Sequence, residues 1–319
     1  MTPDSWSMES VSRNAIELAD EAVEFAGELN VGAFDLENGA TVIDFGVDHR
    51  GGVEAGLLLA ELQTAGLATV QTRMGEVAGA PFQFVELSCD RPAISLLCSQ
   101  KAGWEVTVDG FEALGSGPAR ALVADEPEFR ELGYTDAFDL TVLTLETDGL
   151  PSERVAAEIA ERAGTATDGL YLPVYRTASV AGSVSMAARP AELAAFRLFE
   201  LGYDPADILG ASGSAPVAPV AASEEEAIAR TNDALAFGGQ VTLRVREDFD
   251  AFDEIPSNAF EEYGAPFAEI FAETEWEFAD VDPRAFAPAQ VTVDVVGGPT
   301  YAVGETHEEL LLDSFDLRE

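Results

Sequence analysis

The chain has 319 residues, of which 59 are Asp or Glu and 17 are Lys or Arg, so its formal net charge is −42. A surface with this charge repels nucleic acid and anionic membranes, which excludes both as natural partners. Because 47% of the residues are apolar, the chain can bury a sizeable core, and its length predicts about two domains.

The hydrophobic pattern of the first half alternates between the period of helices and that of strands. Predicted helices occupy 9–29, the stretch from Gly51-Gly52 to about 65, 92–101 and 151–163, and predicted strands occupy 41–46, 68–73, 82–88, 104–108 and 138–146. In the last of these helices, Arg154, Glu158 and Arg162 are spaced for (i, i+4) ion pairs.

The second half is mixed in the same way. Predicted helices occupy 191–202, 222–236 and 264–275, and predicted strands occupy 240–246 and 290–296. The stretch from Gly210 to Pro219 is rich in Gly, Ser and Pro and predicts a loop. The alternation predicts α/β layers, and the segment around 147–152 is the best candidate for a boundary.

Cysteine and histidine are scarce. Cys89 and Cys98 are nine residues apart, and the histidines are His49 and His307, so no local motif provides a zinc site or a disulfide framework. No apolar run approaches the roughly 18 residues of a spanning helix, and the N-terminus lacks the features of a signal peptide. These features predict a cytoplasmic protein.

The choice of basic residues is unusual, because sixteen are Arg and only Lys101 is Lys. At about 1 M salt the Debye length is roughly 3 Å, so the self-repulsion of such an acidic chain is largely screened. We interpret the composition as adaptation to a salt-rich cytoplasm. The competing interpretation, an ordinary acidic protein, is disfavoured by the loss of nearly every Lys.

Two polar clusters interrupt the core pattern, and each is ambiguous by itself. Residues 115–120 are a phosphate-cradling loop with a flanking cation or, by default, a tight turn, because the GK[ST] ending and the GxGxxG spacing are both missing. Residues 177–183 suit close approach to a ligand, but the start of a helix explains them equally well.

A set of motifs in order along the chain is far more specific than either cluster. The chain resembles the methenyltetrahydromethanopterin cyclohydrolase family over essentially its whole length, 1–319, which implies a single family-wide unit. The matching blocks are ENGATVIDFGV at 37–47, GGVEAG at 51–56, SQKAGW at 99–104, GSGPARAL at 115–122, TASVAGSV at 177–184, Arg189 with Glu192, SAPVAPV at 214–220, RTNDALAFGG at 230–239, PSNAFEEYGAPFAEIF at 256–271 and FAPAQVTV at 286–293.

The resemblance implies hydrolysis of the methenyl bridge of a reduced pterin to a formyl group, with the pterin as substrate and no metal or redox cofactor. The bridging carbon is already electrophilic, so the protein must place a water and accept its proton. The family's catalytic Arg and Glu match Arg189 and Glu192. Pro190 predicts the first position of a helix, with Arg189 at the cap. By sequence alone, an exposed surface pair is the commoner interpretation.

Several more residues are candidates for contacts with the pterin. Lys101 and Arg120 are candidates to bind an anionic group, although Lys101 could equally occupy an exposed helix end and Arg120 a structural turn. Trp104 is a candidate to stack on the flat ring. Exposed loops at 115–120, 177–183 and 213–219 are expected to supply backbone and hydroxyl contacts, among them those of Ser116, Thr177, Ser179 and Ser183.

Three residues depart from the family pattern: Arg91, Arg176 and Ser185. They leave the Arg/Glu pair intact, but they make methenyltetrahydrofolate a second candidate for the carrier. Two rival functions are a pterin-binding protein without catalysis and an acidic assembly protein that binds no pterin.

Together the pattern and the resemblance predict an α/β fold of two closely associated subdomains, provisionally 1–150 and 151–319, with a ligand pocket between them. The resemblance also implies a homotrimer.

Overall fold

A computed structural model describes residues 10–260, 263–274, 276 and 281–317. The strands are β1 Gly32–Asp35, β2 Thr41–Asp44, β3 Ala68–Val77, β4 Ala80–Cys89, β5 Ala102–Val108, β6 Phe111–Ser116, β7 Thr141–Val142, β8 Thr144–Glu146, β9 Leu170–Tyr175, β10 Ile208–Pro216, β11 Gln240–Val245, β12 Gln290–Val295 and β13 Thr300–Gly304.

Helices alternate with these strands, so the predicted α/β class is confirmed. They are α1 Val11–Glu24, α2 Ala26–Leu29, α3 Val53–Gln63, a π-helix Ala93–Gln100, α4 Ala119–Val123, α5 Pro127–Leu132, α6 Glu153–Ala163, α7 Val180–Ala187, α8 Pro190–Glu200, α9 Glu224–Gly238, α10 Phe267–Glu273 and α11 Glu308–Ser314. Residues 9 and 275, which belong to predicted helices, lie outside the described residues. Within the described ranges, no helix has both the length and the apolarity to cross a bilayer.

The first sheet, sheet A, is built around a set of parallel strands. Its order is β1-β2-β9-β8-β6-β5, and β7 also pairs with β9. Strands β2, β7 and β8 all run parallel to β9. The carboxyl ends of β2, β8 and β9 therefore meet at one edge, which places Asp44, Glu146 and Tyr175 close together. In open α/β sheets this edge is where ligands commonly bind.

The second sheet, sheet B, has the order β13-β12-β11-β10-β4-β3. It combines β3 and β4 from the first half of the chain with four strands from the second half, whereas sheet A takes β9 from the second half. The expected boundary between 1–150 and 151–319 therefore does not coincide with the division between the sheets. The division into subdomains, and a pocket between them, stay predictions.

The predicted loop at Gly210–Pro219 is wrong over most of its length, because residues up to Pro216 form β10. This strand pairs antiparallel with β4 on one side and β11 on the other. The small residues of β10 allow α8 to pack closely against this strand. A Cβ atom at Gly213 would lie 2.8 Å from the backbone nitrogen of Ala191 and 3.1 Å from Cγ of Pro190. Gly213 thus lets the first turn of α8 rest directly on sheet B.

Helix α6 forms as its amphipathic pattern predicts, and Ser152 caps it by accepting a hydrogen bond from the Val155 amide. The predicted (i, i+4) ion pairs on this helix are wrong. Arg154 pairs with Asp109 at 2.9 Å, and the guanidinium of Arg162 lies 4.1 Å from the ring centroid of Trp104. Both arginines reach the β5–β6 hairpin because α6 packs along it.

Candidate active site

The predicted Arg189 and Glu192 are neighbours at the start of α8. Arg189 is the residue before the helix, Pro190 is its first residue, and Glu192 lies in the first turn, which confirms the predicted placement. Nε and Nη2 of Arg189 donate to Oε2 of Glu192 at 3.0 and 2.8 Å. The two side chains belong to residues only 6% and 2% exposed, so they do not form a surface pair.

The surroundings of the pair fix the guanidinium. Nη2 of Arg189 also donates to the carbonyl oxygen of Gln100 at 3.2 Å, at the end of the π-helix. Burial alone would lower the pKa of Arg189, but Glu192 and other acidic groups nearby raise it above its ordinary value. Oε1 of Glu192 receives no hydrogen bond from any described residue. This oxygen can therefore bind a water molecule.

A chain of buried hydrogen bonds lies beside the pair. Ser185 donates to Oε1 of Gln63 at 3.0 Å, and Nε2 of Gln63 donates to the Tyr175 hydroxyl at 3.2 Å. Burial raises the pKa of Tyr175, so this phenol is neutral. Ser185 is one of the three departures from the family pattern. In the structure its hydroxyl begins this row of hydrogen bonds by donating to Gln63.

A second carboxyl group, that of Glu146, lies near Arg189, and the carboxyl group of Glu224 lies near Glu146. Thr177 donates its hydroxyl to Oε1 of Glu146 and its backbone N–H to Oε1 of Glu224, the latter at 2.6 Å. Burial raises the pKa of Glu146 despite the hydrogen bond from Thr177 and the charge of Arg189. Arg176, another departure from the pattern, pairs with Glu224 at 3.4 Å. Thr177 therefore links the end of sheet A to the start of α9.

The structure does not support the expected anion contacts of Lys101 and Arg120. Nζ of Lys101 lies 3.0 Å from Glu126 and 2.6 Å from Glu128. Arg120 is fully buried, pairs with the same two glutamates, and donates to the carbonyl oxygens of Leu97, Ser99 and Lys101. Both cations are neutralised by protein groups, so they hold the π-helix against α4 and α5.

Trp104 is also placed differently from the expectation. Its residue is 0% exposed in the core between sheet A and α6, and Arg162 covers its ring. A pterin has no access to either face of this indole. Ser116 is buried at the end of β6, where its hydroxyl lies 2.8 Å from that of Thr144.

The remaining predicted hydroxyls support the backbone. Ser179 caps α7 by accepting from the Gly182 amide at 3.0 Å and donates to the Arg176 carbonyl oxygen at 2.7 Å. The buried Ser183 donates to the carbonyl oxygen of Ala218. The expectation of exposed loops is wrong at 115–120, 177–183 and 213–219, where every residue is buried or half-buried. The helix-start interpretation of 177–183 is the one confirmed.

Sequence reasoning missed Glu146, Glu224, Tyr175, Gln63 and Gln100. A signal existed for Glu146, because a carboxylate at the end of a strand stands at the ligand-binding edge if that strand has parallel neighbours. Gln100 lay inside the SQKAGW motif. Its Nε2 donates to the Ala188 carbonyl oxygen at 3.4 Å, and its Oε1 is buried with no hydrogen-bond partner among the described residues.

A shallow concavity of about 430 Å³ lies on sheet B, lined by residues such as Ser212 and Ser214. These alternate with Gly213, which faces α8, so the concavity is on the opposite side of the sheet from Arg189 and Glu192. Within the described residues, no three His, Cys, Asp or Glu side chains are grouped so that they could hold a metal ion.

The fold and the site define a class: an α/β protein with a buried guanidinium–carboxylate pair near the carboxyl edge of parallel strands. The family model described as Cyclohydrolase (MCH) matches residues 10–315. The chain is 63% identical over 310 residues to methenyltetrahydromethanopterin cyclohydrolase from Halobacterium salinarum, covering 97% of this chain and 100% of the relative. The chain belongs to this cyclohydrolase family.

More distant relatives bear the same description. The chain is 40% identical over 314 residues to the protein from Methanosphaerula palustris and 39% identical over 320 residues to that from Methanothermobacter marburgensis. Both alignments cover 97% of this chain and 100% of the relative, so the likeness extends over the whole fold.

Proposed function

We propose that this chain is an enzyme that hydrolyses the methenyl bridge of a 5,10-methenyl reduced pterin of the tetrahydromethanopterin type to the formyl derivative. The observation that carries the proposal is the buried ion pair of Arg189 and Glu192, at 2.8 Å, in a chain whose relatives are named for this reaction. Burying an ion pair costs desolvation free energy that hydrophobic residues in the same place would not cost, so its presence favours a functional role.

The pair suits the first step of this hydrolysis. Oε1 of Glu192, which the guanidinium leaves free, orients a water and accepts its proton as the oxygen attacks the cationic bridge. Arg189 fixes the carboxylate through two hydrogen bonds and keeps Oε2 occupied. In this scheme the substrate supplies the electrophile, so the chain needs no bound cofactor for catalysis. Contacts of Thr177 and Ser179 with the pterin stay predictions.

An oligomer, specifically a homotrimer in the cytoplasm, is part of the proposal. The concave side of sheet B supports association of copies of this chain, because it lacks the acidic excess of the rest of the sequence. Its one charged lining residue, Glu86, is paired with Arg73 at 2.6 Å. The other polar lining side chains are Ser88, Ser212, Ser214, Gln240, Thr242, Gln290 and Thr292. Three copies of such a face can converge on a threefold axis without the repulsion that acidic surfaces impose.

The association is tested by light scattering in molar salt on the unmutated protein and on the variant Thr242→Glu. A trimer that dissociates in the variant supports this face, and a monomeric unmutated protein contradicts it. Thr107→Glu, at an exposed position on β5, the edge strand of sheet A, is the matched control for the added charge.

The reaction is tested by following the absorbance of the methenyl bridge with the purified protein in molar salt. Methenyltetrahydromethanopterin and methenyltetrahydrofolate are compared with the same preparation. Faster turnover of the former supports the proposal, whereas preference for the latter moves the carrier to folate. Binding of either carrier without turnover favours a non-catalytic pterin-binding protein.

A further inference from the structure

We propose that Glu146 is a second proton-transfer residue of this site, a carboxylic acid that protonates the nitrogen released when the methenyl bridge opens. The inference rests on the proposed function, because it concerns a later step of the same reaction. It gives the two carboxyl groups different tasks: Glu192 accepts a proton from water, and Glu146 donates one to the leaving nitrogen.

The position of Glu146 suits this task. It is the last residue of β8, beside Tyr175 on the parallel strand β9, at the carboxyl edge of sheet A. Its Oε1 accepts the hydroxyl of Thr177, whereas Oε2 receives no hydrogen bond from any described residue. The residue is only partly buried, unlike Glu192. A proton on Oε2 can therefore reach a bound ligand.

The environment favours a neutral Glu146. Burial is the largest influence and raises its pKa above the ordinary value, although the Thr177 hydroxyl and Arg189 act in the opposite direction. The charged and titratable groups that face it are Arg189 before α8, Glu224 at the start of α9 and the neutral Tyr175 on β9. Glu224 opposes its ionisation. Two carboxyl groups in such different environments can divide acid and base roles.

The reaction needs both roles. The water oxygen bonds to the bridging carbon while one water proton passes to Glu192, which gives a neutral tetrahedral intermediate with one hydroxyl group. The proton of Glu146 then moves to the leaving nitrogen, and the carbon–nitrogen bond breaks with its electron pair on that nitrogen as the hydroxyl oxygen forms a carbonyl group. The proton of the hydroxyl group passes to the carboxylate of Glu146, which restores the acid. Glu192 releases its proton to solvent. One water is consumed and one proton is released.

The test replaces the carboxyl group and keeps its shape. Glu146→Gln still accepts the Thr177 hydroxyl but has no carboxyl proton to donate, so we expect kcat to fall by about 10²- to 10³-fold with little change in KM. The alkaline limb of the kcat–pH profile, which reports loss of that proton, disappears. Glu146→Asp retains the limb at a reduced kcat. The matched control, Glu224→Gln, removes the other carboxylate bound to Thr177. It retains the alkaline limb, which moves to lower pH because Glu224 no longer opposes ionisation of Glu146.

Two results overturn the inference: a Glu146→Gln variant whose kcat stays within about threefold of the unmutated value, or one whose alkaline limb persists. Infrared spectroscopy gives a second test that needs no activity. The unmutated protein at neutral pH shows the C=O stretch of a protonated carboxylic acid that is absent from Glu146→Gln. If that variant does not fold, a shift of the band in Glu146→Asp assigns it, and a missing band overturns the inference. Unmutated protein that hydrolyses neither carrier overturns the proposed function instead, and the infrared test still applies.

Discussion

Replacing Gly213 by alanine tests whether contact between sheet B and α8 positions the catalytic pair. The added Cβ would lie 2.8 Å from the backbone nitrogen of Ala191, about 0.6 Å short of the 3.4 Å at which ordinary contact begins. Its other neighbours are Cβ of Ala191 at 3.0 Å and Cγ of Pro190 at 3.1 Å. None of these atoms is the end of a flexible side chain, so α8 must move away from β10.

Two effects follow from that movement. Overpacking of this kind costs about 1–3 kcal/mol of unfolding free energy. Pro190 and Ala191 lie between Arg189 and Glu192, so the displacement passes directly to the pair. A shift of about 1 Å in a catalytic group can cost 10²-fold in rate, and we therefore expect kcat to fall by about 10- to 100-fold.

The assay combines kcat in molar salt with urea unfolding of the same preparations. Gly210→Ala is the matched control, because this glycine lies on the same strand and its added Cβ would meet nothing closer than 3.7 Å. We expect the control to retain kcat and stability. Equal kcat and equal unfolding midpoints for the two variants would refute the argument that Gly213 sets the position of the pair.

Three further predictions concern stability. Arg120→Met leaves the buried Glu128 and the half-buried Glu126 without their main partner and should cost about 3–5 kcal/mol by urea unfolding. Arg154→Met, whose ion pair is 70% exposed on both sides, should cost less than about 0.5 kcal/mol, and equal losses would contradict this prediction. Burial raises the pKa of Asp233 from 3.8 to about 6. Between these two pH values Asp233 stays protonated in the folded state but ionises in the unfolded state, so the unfolding free energy falls as the pH rises. Asp233→Asn should therefore raise the unfolding free energy at pH 7 by up to about 3 kcal/mol and remove this part of the pH dependence; an unchanged slope between pH 4 and 6 speaks against it. In dilute buffer the net charge of −42 is unscreened, so circular dichroism should show loss of structure as salt is removed, and full helicity without salt would oppose the salt-adapted interpretation.

Local signals predicted local structure well. The Pro at position 190 placed Arg189 before the helix and Glu192 in its first turn, because proline's missing N–H and fixed φ suit that position. The strand at 240–246 and the helix at 151–163 ended within two residues of the prediction, since their periodicity comes from one buried face.

Features that depend on distant partners could not be read from the sequence. The composition of Gly210–Pro219 indicated a loop, but two neighbouring strands from other parts of the chain supply its hydrogen bonds. Arg120 resembled a free cation because its partners Glu126 and Glu128 are recognisable as such only once α5 folds back on it. The importance of Glu146 likewise depends on the parallel pairing of β8 with β9.

The most direct test of the account is the kcat of Glu192→Gln beside that of Glu200→Gln, measured with the methenyl carrier in molar salt. Both glutamates lie on α8 and pair with an arginine three residues earlier, but Glu200 is more exposed and 3.8 Å from Arg197. The account predicts a loss of at least about 10²-fold for Glu192→Gln alone. Equal turnover in the two variants would contradict the role of the buried pair.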